Sequence, residues 1–185
     1  MKSGLLSVLL LCFSSATAEE FNTLHPQQSS VTFVSKQMGV PVAGSFNKFS
    51  ADIAVNPAKP ETGSAQISID LNSMDAGSAE ANDELGGRNW FNTRQHPVAR
   101  FVSSQVTRLG ADRYEALGNM TIKGKTLPVK APFTLKRVGG AIVVDGAFPI
   151  KRLDYGIGTG IWADTSVVAD EVKITFHFTV GKPRQ

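Results

Sequence analysis

Few residues of this chain have the types and spacing that catalysis or metal binding requires. The three histidines are His25, His96 and His177, and no two of them are two or four residues apart, so no local zinc pair is formed. No serine lies in a G-x-S-x-G nucleophile elbow. Asp83 and Glu84 are adjacent, and neighbours in a helix point in different directions. The sequence therefore favours binding over acid–base or metal chemistry.

The glycine-rich stretch Gly156-Ile157-Gly158-Thr159-Gly160 resembles a phosphate-binding loop only superficially. It lacks the G-x-G-x-x-G spacing, the lysine of a P-loop and the strand-to-helix context that cradles a phosphate. We interpret it as part of a flexible hairpin loop over residues 154–164.

The elements that must position any functional residue are short amphipathic strands. In the last one, Val172–Val180, apolar and polar residues alternate without a break, which is typical of a half-buried strand. A change of parity near Asn47-Lys48 predicts a bulge in a long strand, and Pro128 and Pro132 predict an edge or irregular strand. Eight strands are predicted, over residues 30–38, 42–55, 65–71, 99–108, 113–123, 125–137, 142–150 and 172–180.

Residues 73–97 do not alternate and predict a short helical insertion. Ser78 has the side chain of an N-cap, and Gly86-Gly87 should end the helix after about two turns. We expect a second short helical piece at residues 88–91, before His96-Pro97 closes the segment.

The first eighteen residues predict a cleaved signal peptide. Lys2 precedes an apolar run over residues 4–13, and Ala16-Thr17-Ala18 has the small-x-small pattern of a signal-peptidase site. Leu11 before Cys12 disfavours the alternative of a lipoprotein site. Residues 19–185 then form one domain without cysteine, and the formal net charge of +3 is too small to indicate nucleic acid as a partner.

Several stretches together resemble the YceI-like family of lipid- and polyisoprenoid-binding proteins, across essentially the whole mature chain. They are Gly44–Phe49, Asp83–Pro97, Phe101–Ser104, Gly118–Gly124 and Ile150–Tyr155. The sequence departs from many members at Asn82, His96 and Trp90-Phe91, which bear on the pocket wall and so on the identity of the ligand.

The resemblance implies an all-β fold, an extended lipocalin-like eight-stranded antiparallel barrel located in the periplasm. It implies binding of a long-chain amphipathic lipid, such as a polyisoprenoid or an isoprenoid quinone, with the tail inside and no required cofactor. Neither a stable membrane anchor nor an enzymatic activity is expected, and the sequence leaves open whether two barrels associate as a homodimer.

The candidate ligand-binding residues are large aromatics, which on the residues alone could equally fill a packed core. The resemblance favours an elongated pocket. They are Phe33, Phe46, Phe49, Trp90, Phe91, Phe101, Phe148 and Trp162. His96, Lys123 and Arg152 are candidates for the headgroup, with Lys125 as a further basic residue.

Two other classes of function stay open at the level of sequence. One is a lipid-modifying enzyme or a redox partner that presents a bound quinone. The other is a structural module whose barrel is packed solid with its own side chains.

The predicted signal peptide can be tested by mass spectrometry of the protein exported from a Gram-negative host. We expect the mature chain to begin at Glu19, because the peptidase cuts after a small residue at Ala18. Replacing Ala18 by Trp should block the cut. An exported protein that retains Lys2 would contradict the prediction.

Overall fold

The computed structural model describes residues 19–183, so the predicted signal peptide lies outside the described residues. Eleven strands form one antiparallel sheet. They are β1 (Thr23–Leu24), β2 (Ser30–Gln37), β3 (Val40–Phe46), β4 (Phe49–Ala54), β5 (Ser64–Asp70), β6 (Met74–Asp75), β7 (Val98–Arg108), β8 (Arg113–Ile122), β9 (Lys125–Val138), β10 (Ala141–Lys151) and β11 (Glu171–Gly181).

The sheet curls into a lipocalin-like barrel because the two halves of one long, bent strand lie at opposite edges of the sheet. The sheet order is β4-β5-β7-β8-β9-β10-β11-β2-β3-β6. β3 and β4 are separated only by Asn47 and Lys48, yet β3 pairs with β2 and β4 pairs with β5. Counted as one bent strand, β3 and β4 bring the wall to eight strands, as predicted, and the bend lies where the parity changes. β1 and β6 are two-residue additions.

The N-terminal segment covers one end of this wall. Phe21 pairs with Val55 just beyond β4, and its ring is fully buried. Asn22 donates its backbone N–H to Gly181 at the end of β11. The segment therefore ties the ends of β4 and β11 together and closes part of the barrel with apolar surface.

The prolines of β9 lie where this strand has a paired neighbour on one side only. β9 pairs with β8 from Lys125 to Thr134, but with β10 only from Phe133 to Val138. Pro128 and Pro132 fall in the half that has no partner on the β10 side, where a missing N–H costs no ladder bond. This confirms the prediction of an irregular strand.

The helical insertion is shorter than predicted. The helix α1 (Ala79–Gly86) is capped by Ser78, whose Oγ accepts from the Ala81 N–H at 3.2 Å, and it ends at the predicted glycines. The prediction of a second helical piece over residues 88–91 is wrong. The chain instead turns back on α1, and the N–H groups of Trp90 and Asn92 donate to the Gly87 carbonyl at 3.0 and 2.9 Å.

Short 3-10 turns complete the fold. They span Pro26–Gln28, Pro60–Thr62, Leu71–Ser73, Arg152–Tyr155 and Gly160–Trp162. The last two belong to the loop between β10 and β11, which pair antiparallel up to Lys151 and Glu171, so this loop closes a hairpin as predicted. Specific bonds hold it against the turn after α1. Gly158 and Thr159 both donate to the Asn89 carbonyl, at 2.8 and 2.9 Å.

Within residues 19–183 no helix has the length and apolar character that crossing a membrane requires.

Candidate functional site

An apolar cavity of about 390 Å³ fills the centre of the barrel. Its size lies within the range of about 300–1,000 Å³ typical of small-molecule sites. Its lining includes residues of the bent strand β3–β4 from Val42 to Val55. On the unbent strand β11 the lining runs from Val172 to Phe178, and on β10 from Val144 to Ile150. Six residues of strand span about 20 Å, so the cavity is long rather than round.

Seven of the eight predicted aromatic residues line this cavity. They are Phe33, Phe46, Trp90, Phe91, Phe101, Phe148 and Trp162. Phe49 is not among them, although it lies opposite the lining residue Ile69 and packs on the lining residue Phe178, with the ring centroids 5.9 Å apart. It lies behind the Phe178 ring. The alternative of an interior packed solid with side chains does not describe this structure.

Three of the lining rings lie against glycines of neighbouring strands. Phe33 covers Gly44, and Phe176 covers Gly146, in directly paired positions. Each of these glycines occupies an inward-facing position, and a Cβ there would overlap the ring. Because the glycines have no side chain, the rings can lie flat on the wall instead of crossing the interior.

The third pair follows the same pattern across β7 and β8. A Cβ at Gly118 would lie 2.5 Å from both the Phe101 ring and the Val102 carbonyl oxygen. None of the glycines in the three pairs has a positive φ, so it is space and not backbone conformation that requires them.

Sequence reasoning missed Phe133, Phe176 and Phe178 as lining residues. The alternation of the last strand could have found two of them, since Phe176 and Phe178 share the apolar parity of Val172 and Ile174. Much of the remaining lining is aliphatic and comes from the inward positions of β4, β5, β7, β8 and β10.

Helix α1 and the turn after it form the cavity wall at one end. The Trp90 indole N–H donates to Glu84 Oε1 at 3.0 Å, and the Trp90 ring lies 5.6 Å from that of Trp162. Leu85 and Phe91 also line the cavity here. The only two tryptophans of the chain thus meet at this end of the interior.

Arg152 lines the cavity beside them but has no free donor for a ligand. Its side chain is only 1% exposed. All five N–H groups are directed at backbone carbonyls, with Nε donating to Ala169, Nη1 to Ile157 and Gly158, and Nη2 to Trp162 and Val168, at 2.7–3.0 Å. The structure therefore corrects the headgroup role predicted for Arg152: the residue clamps the loop between β10 and β11.

The pKa of Arg152 reflects this environment. Burial lowers the pKa from its ordinary value, and the nearby Asp170 carboxylate acts in the opposite direction. A guanidinium stays protonated in proteins, so the clamp is a buried cation whose charge is balanced chiefly by carbonyl dipoles.

The other basic headgroup candidates, Lys123 and Lys125, lie outside the cavity lining. Lys123 donates to the carbonyls of Arg88 and Gly156 at 2.9 and 2.7 Å. Burial, and secondarily the charge of Lys125, lowers the pKa of Lys123. Lys125 donates to the Asp154 carbonyl at 3.1 Å. Both lysines secure the glycine-rich loop, a role that short-range sequence patterns do not reveal.

His96 is the remaining headgroup candidate, and it too lies outside the cavity lining. Its ring packs against Gly124 in the turn between β8 and β9. Its backbone N–H donates to the Asn92 carbonyl at 2.9 Å. The turn therefore directs this histidine away from the interior.

No pair suited to acid–base catalysis lies in the cavity wall. The titratable lining residues within the described part of the chain are Lys36, Glu84, Arg100 and Arg152, and no hydrogen bond joins any two of them. The buried Tyr155 hydroxyl has no partner within residues 19–183, and burial raises its pKa to about 12. A phenol with that pKa is neutral at physiological pH.

The fold and the residues match a known family of domains. The sequence profile of the YceI-like domain matches residues 23–180. The chain belongs to the YceI-like family. A UPF0312 protein of Pectobacterium atrosepticum is 33% identical over 136 residues, which cover 70% of each chain. The family resemblance predicted from the sequence is confirmed.

Solved structures of YceI-like and related proteins have the same architecture. The crystal structure of BcnA from Burkholderia cenocepacia is 46% identical, with a TM-score of 0.82 over 84% of this chain and 98% of that one. A polyisoprenoid-binding domain from Saccharophagus degradans is 20% identical, with a TM-score of 0.69 over 90% of this chain and 100% of the other. At that identity the second likeness concerns the fold alone.

The glycine–phenylalanine pairs can be tested at Gly146. Gly146→Ala should lower the free energy of unfolding by about 1–3 kcal/mol, because a Cβ would overlap both the Phe176 ring and the Pro132 carbonyl oxygen. The measurement is chemical denaturation. Gly140→Ala is the matched control, since nothing lies within 4 Å of that position. Equal stability of the two variants would contradict the role assigned to Gly146.

Because Arg152 clamps the loop between β10 and β11, replacing it should lower the stability of the fold. Arg152→Met should lower the free energy of unfolding by about 3 kcal/mol or more, since several buried carbonyls lose their donor. Arg152→Lys should recover only part of the loss, because an ammonium has three donors and not five. Thermal unfolding measures both, with the exposed Arg94→Met as control. An Arg152→Met protein as stable as wild type that has lost affinity for an anionic lipid would restore the headgroup role.

Proposed function

We propose that this protein is a non-enzymatic periplasmic carrier or sequestering protein for a long-chain amphipathic lipid, either a polyisoprenoid or an isoprenoid quinone. The tail occupies the interior cavity and the head lies near one end. The observation that carries the proposal is the long apolar cavity inside the barrel, which is lined from Val172 to Phe178 along β11. The YceI-like match over residues 23–180 supports it.

Energetics favour a long tail over a short one. Each methylene-sized unit removed from water contributes about 0.8 kcal/mol to the free energy of binding, whereas association costs about 4–15 kcal/mol in lost translational and rotational freedom. A tail of roughly five carbons gains no more than the lower bound of that cost, so stable binding needs a tail several times longer. The length of the cavity agrees with this requirement.

A likeness in fold adds independent support. The Saccharophagus degradans protein that shares the barrel is described as a polyisoprenoid-binding domain. An interior built from inward-facing apolar residues of eight strands is suited to such a ligand, because hydrocarbon needs shape and apolar surface rather than polar contacts. The export signal predicted at residues 1–18 is the basis for the proposed location.

Native mass spectrometry and organic extraction of the purified protein test the proposal. We expect a bound lipid with a long unsaturated tail, and uptake of ubiquinone by lipid-free protein. Uptake should change the fluorescence of Trp90 and Trp162, since both line the cavity.

Filling part of the cavity should weaken this uptake. Ala65 lines the cavity, so Ala65→Phe places a ring inside it and should weaken binding at least about tenfold. Ala43→Phe is the matched control on the exposed side of β3. Equal binding by both variants, or a wild-type protein that takes up no prenyl lipid, would refute the proposed function.

A further inference from the structure

The inward face of β2 changes from apolar to polar along its length. Val31, Phe33, Ser35 and Gln37 alternate with outward residues, and all four line the cavity. The two apolar members therefore face the middle of the cavity, and the two polar members lie toward the end of the strand. This is the order expected where an amphipathic ligand has its head.

The hydroxyl of Ser35 has no partner among the described residues. Its Oγ is buried and makes no hydrogen bond. The cavity-lining Ser103 differs, because its Oγ accepts from the Ala65 N–H at 2.8 Å. Tyr155 also has an unpartnered hydroxyl, but it does not line the cavity. A buried polar group without a partner costs about 1–3 kcal/mol, and a ligand atom in the cavity would remove that cost.

The surroundings of Ser35 place it just inside an opening. Ser35 pairs with Val42 at the start of the bent strand, so it lies at the opposite end of the cavity from Val55. The next two residues of β2, Lys36 and Gln37, also line the cavity and are exposed, so the cavity reaches the surface here. A head bonded to Ser35 is therefore close to solvent while its tail extends toward Val55.

The cavity wall near this end offers no free buried donor to an anionic head. Arg152 is the buried cation of the wall, and its donors are all engaged by carbonyls. Lys36 also lines the cavity, but it is exposed. A phosphate buried here would lose its hydration without gaining a free donor in return, which is costly, whereas a hydroxyl or carbonyl needs only a hydrogen bond.

We infer that Ser35 binds the ligand's head and that this head is a neutral hydrogen-bonding group, a hydroxyl or a ring carbonyl, rather than a phosphate. The inference rests on the proposed function, because it assumes that a prenyl tail occupies the cavity. Ser35 thereby selects among prenyl lipids of equal tail length by the chemistry of the head.

Three probes with the same tail separate the contributions of head and tail. They are geranylgeraniol, geranylgeranyl phosphate and the matching hydrocarbon without a head group. Each is titrated into lipid-free protein, and tryptophan fluorescence reports binding. Ser35→Ala removes the hydroxyl, and Ser50→Ala is the control on the exposed outward face of β4.

The wild-type protein should bind the alcohol more tightly than the phosphate. Ser35→Ala should weaken binding of the alcohol about three- to tenfold, the value of one hydrogen bond, and leave the hydrocarbon unchanged. Ser50→Ala should change neither. The thermal stability of Ser35→Ala should equal or exceed that of wild type, because no bond within the protein is lost.

Two results would overturn the inference while leaving the proposed function intact. One is tighter binding of the phosphate than of the alcohol by the wild-type protein. The other is equal binding of the alcohol by Ser35→Ala and wild type. A wild-type protein that binds none of the three probes would refute the proposed function, and the inference would fall with it.

Discussion

The open interior of this barrel depends on three phenylalanine rings that lie against glycines. An eight-stranded barrel is narrow enough for its own side chains to fill it, and this one carries ten phenylalanines within residues 19–183. Where a ring such as Phe176 lies flat on Gly146, its apolar surface faces inward without crossing the cavity. Aromatic residues thus form a wall for a guest, and the same residues without the glycines would form a packed core.

The two ends of the cavity are secured in different ways. At the end near Val55, the buried Phe21 ties β4 to the last strand. At the other end, Arg152 holds the loop between β10 and β11 by five carbonyls, and this loop brings Trp162 against Trp90. A cation held by carbonyl dipoles fixes the wall without offering a free hydrogen-bond donor to the cavity. Shape and apolar surface are then the main determinants of what can bind.

Much of the fold could be predicted from the sequence, because period-two alternation reports directly which face of a strand is buried. The bend at Asn47-Lys48 was visible as a change of parity for the same reason. The site could be predicted only in part. The role of Arg152 depends on carbonyls that a loop brings together, and Phe49 packs on the Phe178 ring instead of lining the cavity. Neither the fold of a loop nor the packing of one ring on another can be read from local spacing.

The central claim is that a hydrocarbon tail occupies the interior, and an experimental structure of the protein purified with its natural ligand tests it most directly. The account predicts continuous elongated density between the Ser35 end and the Val55 end, bounded by the rings of Phe33, Phe101 and Phe176. An interior filled by the protein's own side chains, with no density for a guest, would contradict it.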